Sequence, residues 1–457
     1  MIRDLLKLAW PVFIGQVAVM LNGVIDTVMA GRLSAVDMAA IGLGASIYIS
    51  IYVGLMGVLL ALIPIAAQHF GAGRLDRVTH AASQAVWLAA ALALPGCLAL
   101  GWTTPWLQFA DAPPEVAQVA RGYLYATAIG LPAALLFRVC YAVSNAIARP
   151  KLVMAINLAA LALKVPLNAL FMYGWHDASG QPIVPAMGGA GAGLATAILQ
   201  WLSLLLALIA LVAAPTFRHL RIRWPVRPDG AQLGELLRLG LPIGGAYLVE
   251  VTSFTFMALF LASLGATVAA SHQVAANLAA LAYMVPMAVA NATSTMVAQS
   301  IGAGSRQRAQ GYGRTGLLLA TGFACVVAGG LWIGRDAIAR AYTTDAAVIA
   351  AAAPLVALVA AFHVFDALQT TAAFVLRAYR ITTLPMLVYL VCLWGLGLGG
   401  GWWLSFGVGN SDAAIAGAVA GARGFWIAGG FSLMTATLLM LLIVRRVWRS
   451  EETRAAA

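Results

Sequence analysis

The chain is expected to fold as an all-α polytopic membrane protein, with 12 transmembrane helices in two six-helix lobes. Three observations carry that expectation. Of 457 residues, 62% are hydrophobic and only 9% charged, whereas a soluble chain carries about a quarter charged residues. Twelve apolar segments, at about 5–30, 41–68, 81–105, 121–146, 152–174, 188–214, 234–264, 267–300, 313–334, 346–376, 383–408 and 424–444, are each long enough to cross a hydrocarbon core. A repeat offset by 231 residues divides them six and six.

The first segment is too long for the apolar part of a cleavable signal peptide, and no cleavage site precedes its end, so it reads as an uncleaved first span. The connections are short, and none holds a soluble catalytic domain. Net charge is +11, but its placement follows topology rather than a nucleic-acid footprint. With both termini and the even-numbered connections taken as one side, that side holds 19 of the 27 Lys and Arg and the other holds five. Arg138, Lys164 and Arg238 lie in or near spans. By the positive-inside rule both termini are cytoplasmic, which requires an even number of spans.

The repeat sets the domains. "LLKLAWP" at 5–11 returns as "LLRLGLP" at 236–242, and "AAQHFGAG" at 66–73 returns as "VAQSIGAG" at 297–304. The lobes are therefore expected at 1–214 and 233–457, joined by a Pro/Arg-rich cytoplasmic linker at 215–232. Six spans per copy give both halves the same orientation, related by an axis along the membrane normal with the substrate path between them.

Charges inside spans are costly and mark function. Three acids lie well inside: Asp26, Glu250 and Asp366. Shifted by 231, Glu250 falls on Val19, Asp366 on Leu135 and Asp26 on Met257. A packing role would recur in both halves, so unduplicated acids favour an ion or proton site facing an internal cavity. Each has polar neighbours at helical spacing. Asn22 lies one turn from Asp26. His363, Asp366, Gln369 and Thr370 share a face, and Gln273 and Asn277 lie one turn apart beside His272. Lys164 and Asn168 follow one stripe of the fifth segment.

Cys97, Cys140, Cys325 and Cys392 fall inside spans without paired spacing and read as small core hydrophobes. No Walker A, HExxH or nucleophile-elbow pattern occurs, so neither an enzyme nor a nucleotide-driven pump is indicated, and no cofactor is required. "GGAGAG" at 188–193 and "GLGLGGGWW" at 395–403 read as close helix packing through small residues. Pro11, Pro64, Pro132, Pro166, Pro242 and Pro286 mark places where spans can bend.

"VIDTVMAGRLSAVDMAAIGLG", "ALIPIAAQHFGAGR", "LVEVTSFTFMALFLASLG", "AASHQVAANLAAL" and "FDALQTTAAFVLRAYR" resemble, in order along nearly the whole chain, the NorM branch of the multidrug and toxic compound extrusion (MATE) family. The resemblance implies a V-shaped secondary antiporter of the bacterial cytoplasmic membrane, acting as a monomer among membrane lipids. Such a protein exports small organic cations in exchange for H⁺ or Na⁺. Carried over by position, Glu250 and Asp366 match the family's second-lobe acidic pair, Asp26 the acid of its first span, and Gln273 and Asn277 polar residues near the pair. Two positions depart from the pattern: "LKVPLN" puts Lys164 where an amide is usual, and Phe362 stands where Tyr is usual. Both changes remove oxygen atoms that Na⁺, a hard cation, would use. They favour H⁺ coupling over Na⁺ near Glu250 and Asp366, with Lys164 as a built-in counter-cation for Asp26.

In this reading the acids hold a cationic substrate when ionised and release it on protonation. Tyr247, Phe254, Met257, Met284, Met287 and Phe362 offer an adaptable apolar surface. A lipid-linked precursor flippase of the same superfamily is the nearest rival, but it calls for several cavity Arg to meet phosphates. A major-facilitator porter, echoed only by "GAGRLDR" at 71–77, lacks the other motifs. The topology is checked by a reporter fused after Arg454: activity is expected only for a cytoplasmic reporter, and periplasmic activity would reverse the assignment.

Overall fold

The computed structural model describes residues 1–177, 181–213, 226–407 and 421–456. The first part of the expected linker, 215–225 with Arg218, Arg221 and Arg223, lies outside the described residues, as does the side chain of Arg454. Among the described residues twelve helices are long and apolar enough to cross a membrane: α1 (Ile2–Gly31), α2 (Ala35–Gly71), α3 (Leu75–Gly101), α4 (Pro114–Ala146), α5 (Lys151–Tyr173), α6 (Gly189–Ala213), α7 (Gly230–Ala262), α8 (Ala266–Gly302), α9 (Arg306–Tyr342), α10 (Ala346–Ala378), α11 (Thr383–Gly407) and α12 (Ala422–Glu451). Each corresponds to one apolar segment of the sequence.

One element departs from the all-α expectation. Gly174, at φ 80°, turns the chain out of α5, and the connection to α6 folds into a small antiparallel ribbon pairing Trp175 with Val184. The helix-breaking residues act unequally. Proline lacks the N–H that would close its turn, and α2 is interrupted just before Pro64, ending one helical piece at Leu59 and starting another at Leu62. Pro11, Pro132, Pro242 and Pro286 sit inside uninterrupted helices. After Pro166, α5 widens into a π-type turn at Ala169–Tyr173. Ser34 caps α2 through the Asp37 amide, and Asp345 caps α10 through those of Ala347 and Val348.

The chain forms two compact units, Trp10–Gly244 and Met1–Ala9 with Gly245–Ala457. In the first, the glycine run packs α6 against its neighbours. A Cβ on Gly193 would meet the Tyr123 carbonyl oxygen at 2.8 Å, and one on Gly191 would meet the backbone of Phe171 and Met172. The Gly189 amide donates to Asp37 Oδ1 at 2.6 Å, joining the starts of α2 and α6. The end of the linker lies along α3: Trp87 and Gln84 donate to the carbonyls of Val226 and Arg227 at 2.9 and 3.0 Å. Just before α7, the Asp229 carboxylate bonds the ring of His80 on α3 at 3.1 Å. That bond, with the amides of Gln232 and Ala231, holds Asp229 below the usual carboxylate range.

In the second unit one apolar cluster centres on Leu261, Val359, Phe425 and Trp426, and another on Ala372, Leu376, Tyr389 and Met440. Of the second glycine run, Gly401 approaches the Phe425 backbone, with 3.0 Å from its virtual Cβ to the Phe425 Cα, while Gly395 has open space. The cysteines divide likewise. Cys140 and Cys392 are buried and Cys97 partly so, but Cys325 is exposed on α9 and is not a core residue. Its helix turns an apolar outer face, including Leu318 and Val326, away from the unit.

Candidate functional site

The first unit builds a buried ion pair. Asp26 on α1 and Lys164 on α5 meet at 2.8 Å, with side-chain exposures of 8% and 1%. Asn168, one turn beyond Lys164, donates to the same carboxylate oxygen at 2.7 Å. The ammonium also donates to Thr196 Oγ1 on α6 at 2.6 Å, and Thr196 is held by a bond to the Ala192 carbonyl. The i, i+4 spacing puts both donors on one face of α5. The pair is closed: two opposite charges, each with a further neutral partner. Asn22, one turn before Asp26, keeps a buried side-chain oxygen without a partner.

The second unit arranges its charges differently. Asp366, 8% exposed, accepts from Gln369 Nε2 at 3.0 Å, and the same amide donates to Thr370 Oγ1. Glu250 comes from α7, with the Tyr283 hydroxyl of α8, Asp366 and Arg377 all close enough to act on its charge. Among the described residues neither acid has an ion-pair partner within 4.0 Å. Arg377 lies one residue beyond the apolar segment 346–376 and so is one of the 19 Lys and Arg counted on the cytoplasmic side, yet it is buried. It is only 8% exposed, and it donates to the Tyr247 hydroxyl at 3.3 Å. Its guanidinium lies 4.1 Å from the Phe374 ring centroid and 5.0 Å from that of Tyr247. Its position next to the end of α10 made it look like a boundary charge; only the packing of α7 and α11 around it separates the two cases.

The apolar residues gather in part. Phe254, Met257 and Phe362 line a pocket with Phe425, Trp426 and Ser432. The Phe362 and Trp426 rings meet edge to face at 5.3 Å, and Phe254 packs against both. Trp426 was not foreseen, because nothing in its own segment marks it; its indole N–H is buried without a partner. Tyr247 serves Arg377 instead, and Met284 and Met287 are absent from the pocket's lining. His272 is buried against Trp426, ring centroids 6.0 Å apart. Gln273 and Asn277 bond each other at 3.1 Å on an exposed face rather than bonding the acids. A roomier apolar cavity lies between α3, α4 and α6, among Val78, Leu136, Val143 and Leu208, and touches none of the acids. Among the described residues no group of three His, Cys, Asp or Glu is placed to hold a metal ion.

The MatE family profile matches residues 11–170 and again 242–403, with starts offset like the internal repeat. The chain is 39% identical over 443 residues to a probable multidrug resistance protein NorM of Aromatoleum aromaticum, covering 96% of this chain and 93% of that protein. It is 34% identical over 451 residues to the multidrug resistance protein NorM of Vibrio cholerae, covering 98% and 96%. Among solved structures, the eukaryotic MATE transporter AtDTX14 superposes with a TM-score of 0.86 at 18% identity, over 99% of this chain and 97% of that one. An outward-facing multidrug resistance MATE family transporter gives 0.85 at 16%, over the same shares.

The buried pair is testable by itself. Lys164→Met leaves the Asp26 carboxylate desolvated without its cation, a loss of about 3–5 kcal/mol for broken buried pairs. Combining it with Asp26→Asn is expected to restore most of the stability, since the stranded charge is gone. Thermal unfolding of the purified variants reads this; two single losses that simply add would show that the groups are not coupled.

Proposed function

The chain belongs to the multidrug and toxic compound extrusion (MATE) family, whose members are transporters and not enzymes, and on that premise we propose that it is a secondary multidrug antiporter. It exports cationic amphipathic compounds in exchange for H⁺ by alternating access, with both termini in the cytoplasm and the monomer as the working unit. The observation that carries this reading is the contrast between the two units. Asp26 is already neutralised by Lys164 at 2.8 Å, whereas Glu250 feels the charge of Asp366 and, among the described residues, neither has an ion-pair partner.

Two neighbouring carboxylates in a low-dielectric setting attract a cation strongly, and neutralising either weakens that attraction. A cationic substrate entering from the cytoplasm is held while the acids are ionised. A proton taken up by the pair on the outer side displaces it, and the singly protonated pair returns. The aromatic pocket of Phe254, Phe362 and Trp426 supplies apolar surface tolerant of varied shapes.

Lys164 argues against Na⁺ in the first lobe. An ammonium about 4 Å from a bound Na⁺, at an effective dielectric near 20, repels it by roughly 4 kcal/mol, about three decades of affinity. Phe362, buried in the aromatic pocket, offers no oxygen in the second. A proton needs only the carboxylate.

Two outcomes follow. Glu250→Gln with Asp366→Asn is expected to abolish ethidium efflux without loss of membrane expression; normal efflux by that double variant would refute the assignment. For one-for-one exchange of H⁺ against a monovalent drug no net charge crosses. Reconstituted vesicles with an imposed pH gradient and no sodium should therefore show efflux that nigericin stops and valinomycin barely changes. Transport that appears only under a Na⁺ gradient would overturn the proton assignment.

A further inference from the structure

The Arg377 guanidinium is close enough to Glu250 to act on its charge and takes no part in the exchange described above. On α10, Asp366 and Arg377 are close to three full turns apart at 3.6 residues per turn, so they share a face. Helical side chains lean toward the N-terminus, which carries Arg377 back toward the acid. Glu250, reaching in from α7, is close enough to feel both charges. Among the described residues no carboxylate forms an ion pair with the guanidinium. It lies against the rings of Phe374 and Tyr247 and donates to the Tyr247 hydroxyl, a setting that holds a cation in place without cancelling its charge. Tyr247, Tyr283 and Tyr389 also lie close enough to act on its charge.

We propose that Arg377 is a specificity-determining residue: it fixes one positive charge beside Glu250, so that the site carries a single net negative charge when both carboxyls are ionised and takes organic monocations in preference to organic dications. The proposal rests on the reading that Glu250 and Asp366 hold the cationic substrate. A monocation brings such a site to neutrality. A dication leaves an uncompensated positive charge in a desolvated cavity, which is costly. Without Arg377 the same two carboxylates would match a dication. His272 and His363, the imidazoles on α8 and α10, are neutral in an assay above about pH 8 and leave this charge count unchanged.

Ethidium and propidium share a phenanthridinium ring and carry one and two positive charges, so the change in their affinity ratio between variants reads the charge term. Binding to purified protein at about pH 8.5 is measured for the wild type, Arg377→Gln and Arg377→Lys. The wild type is expected to bind ethidium more tightly. Arg377→Gln should raise the propidium-to-ethidium affinity ratio about tenfold, the effect of one unit charge roughly 10 Å away at an effective dielectric near 20. Arg377→Lys, which keeps the charge, should hold the wild-type ratio, and loss of that ratio in the lysine variant counts against the proposal. An unchanged ratio in Arg377→Gln overturns it. Should that variant fail to fold, tighter binding of propidium than of ethidium by the wild type overturns it equally, and tighter binding of ethidium supports it. Glu250→Gln with Asp366→Asn separates the two ideas. Undiminished ethidium binding there defeats the substrate site itself, whereas lost binding with an unchanged ratio in Arg377→Gln defeats only the role of Arg377.

Discussion

The cost of an unpaired charge inside a hydrocarbon layer governs how this chain uses its few ionisable side chains. Backbone polarity is settled by the helices themselves, which leaves the side-chain charges as the groups still needing partners. The first unit answers with a closed ion pair: Asp26, Lys164, Asn168 and Thr196 on three helices bond one another, and only the Asn168 side-chain oxygen among them is left without a partner. The second unit leaves its arrangement open. Asp366 has a neutral amide, Glu250 a tyrosine hydroxyl, and Arg377 two aromatic faces. A mobile cation has little to gain in the first arrangement and much to gain in the second.

The scaffold was legible in the sequence because it rests on properties that survive averaging. Span length, the sum of apolar residues and the 231-residue offset each integrate over many positions, and all twelve helices lie where the apolar segments placed them. The pairing of Asp26 with Lys164 was also within reach, since both are charges deep inside spans with few alternatives. What escaped depends on helix rotation and depth. Arg377 sits next to the end of α10, where sequence position alone cannot separate a solvated cation from a buried one. Cys325 lies mid-span, yet its helix presents that face outward. Trp426 joins the aromatic pocket through α12 packing, a contact that no periodicity within one segment reveals. Gln273 and Asn277 were correctly placed on a common face, but that face turns them toward each other.

The duplication clarifies why the charges differ. A repeated helix scaffold supplies the same backbone to both units, so identical chemistry in each would need no further change. Instead the acids, Lys164 and Arg377 lack counterparts at the repeat offset: Lys164 maps to Gly395, and Arg377 to Ala146. Gly395 has open space around its missing Cβ, so a longer side chain there would not be excluded by the glycine's own neighbours. The asymmetry is therefore chemical rather than steric.

That asymmetry separates two kinds of response to a proton. In the first unit, moving a proton from the Lys164 ammonium to the Asp26 carboxylate turns an ion pair into a neutral pair with no change in net charge. Adding a proton from outside would instead strand a buried ammonium with only Thr196 and a neutral acid beside it, which the low dielectric opposes. The closed pair thus resists changing its net charge and is suited to holding α1, α5 and α6 in register. In the second unit every proton gained by Glu250 or Asp366 changes the charge of the site by one, because no mobile partner there compensates it. The site's attraction for a cation changes by the same step. The proposed exchange of a proton for a cationic substrate needs a site whose charge does change, which Glu250 and Asp366 would supply.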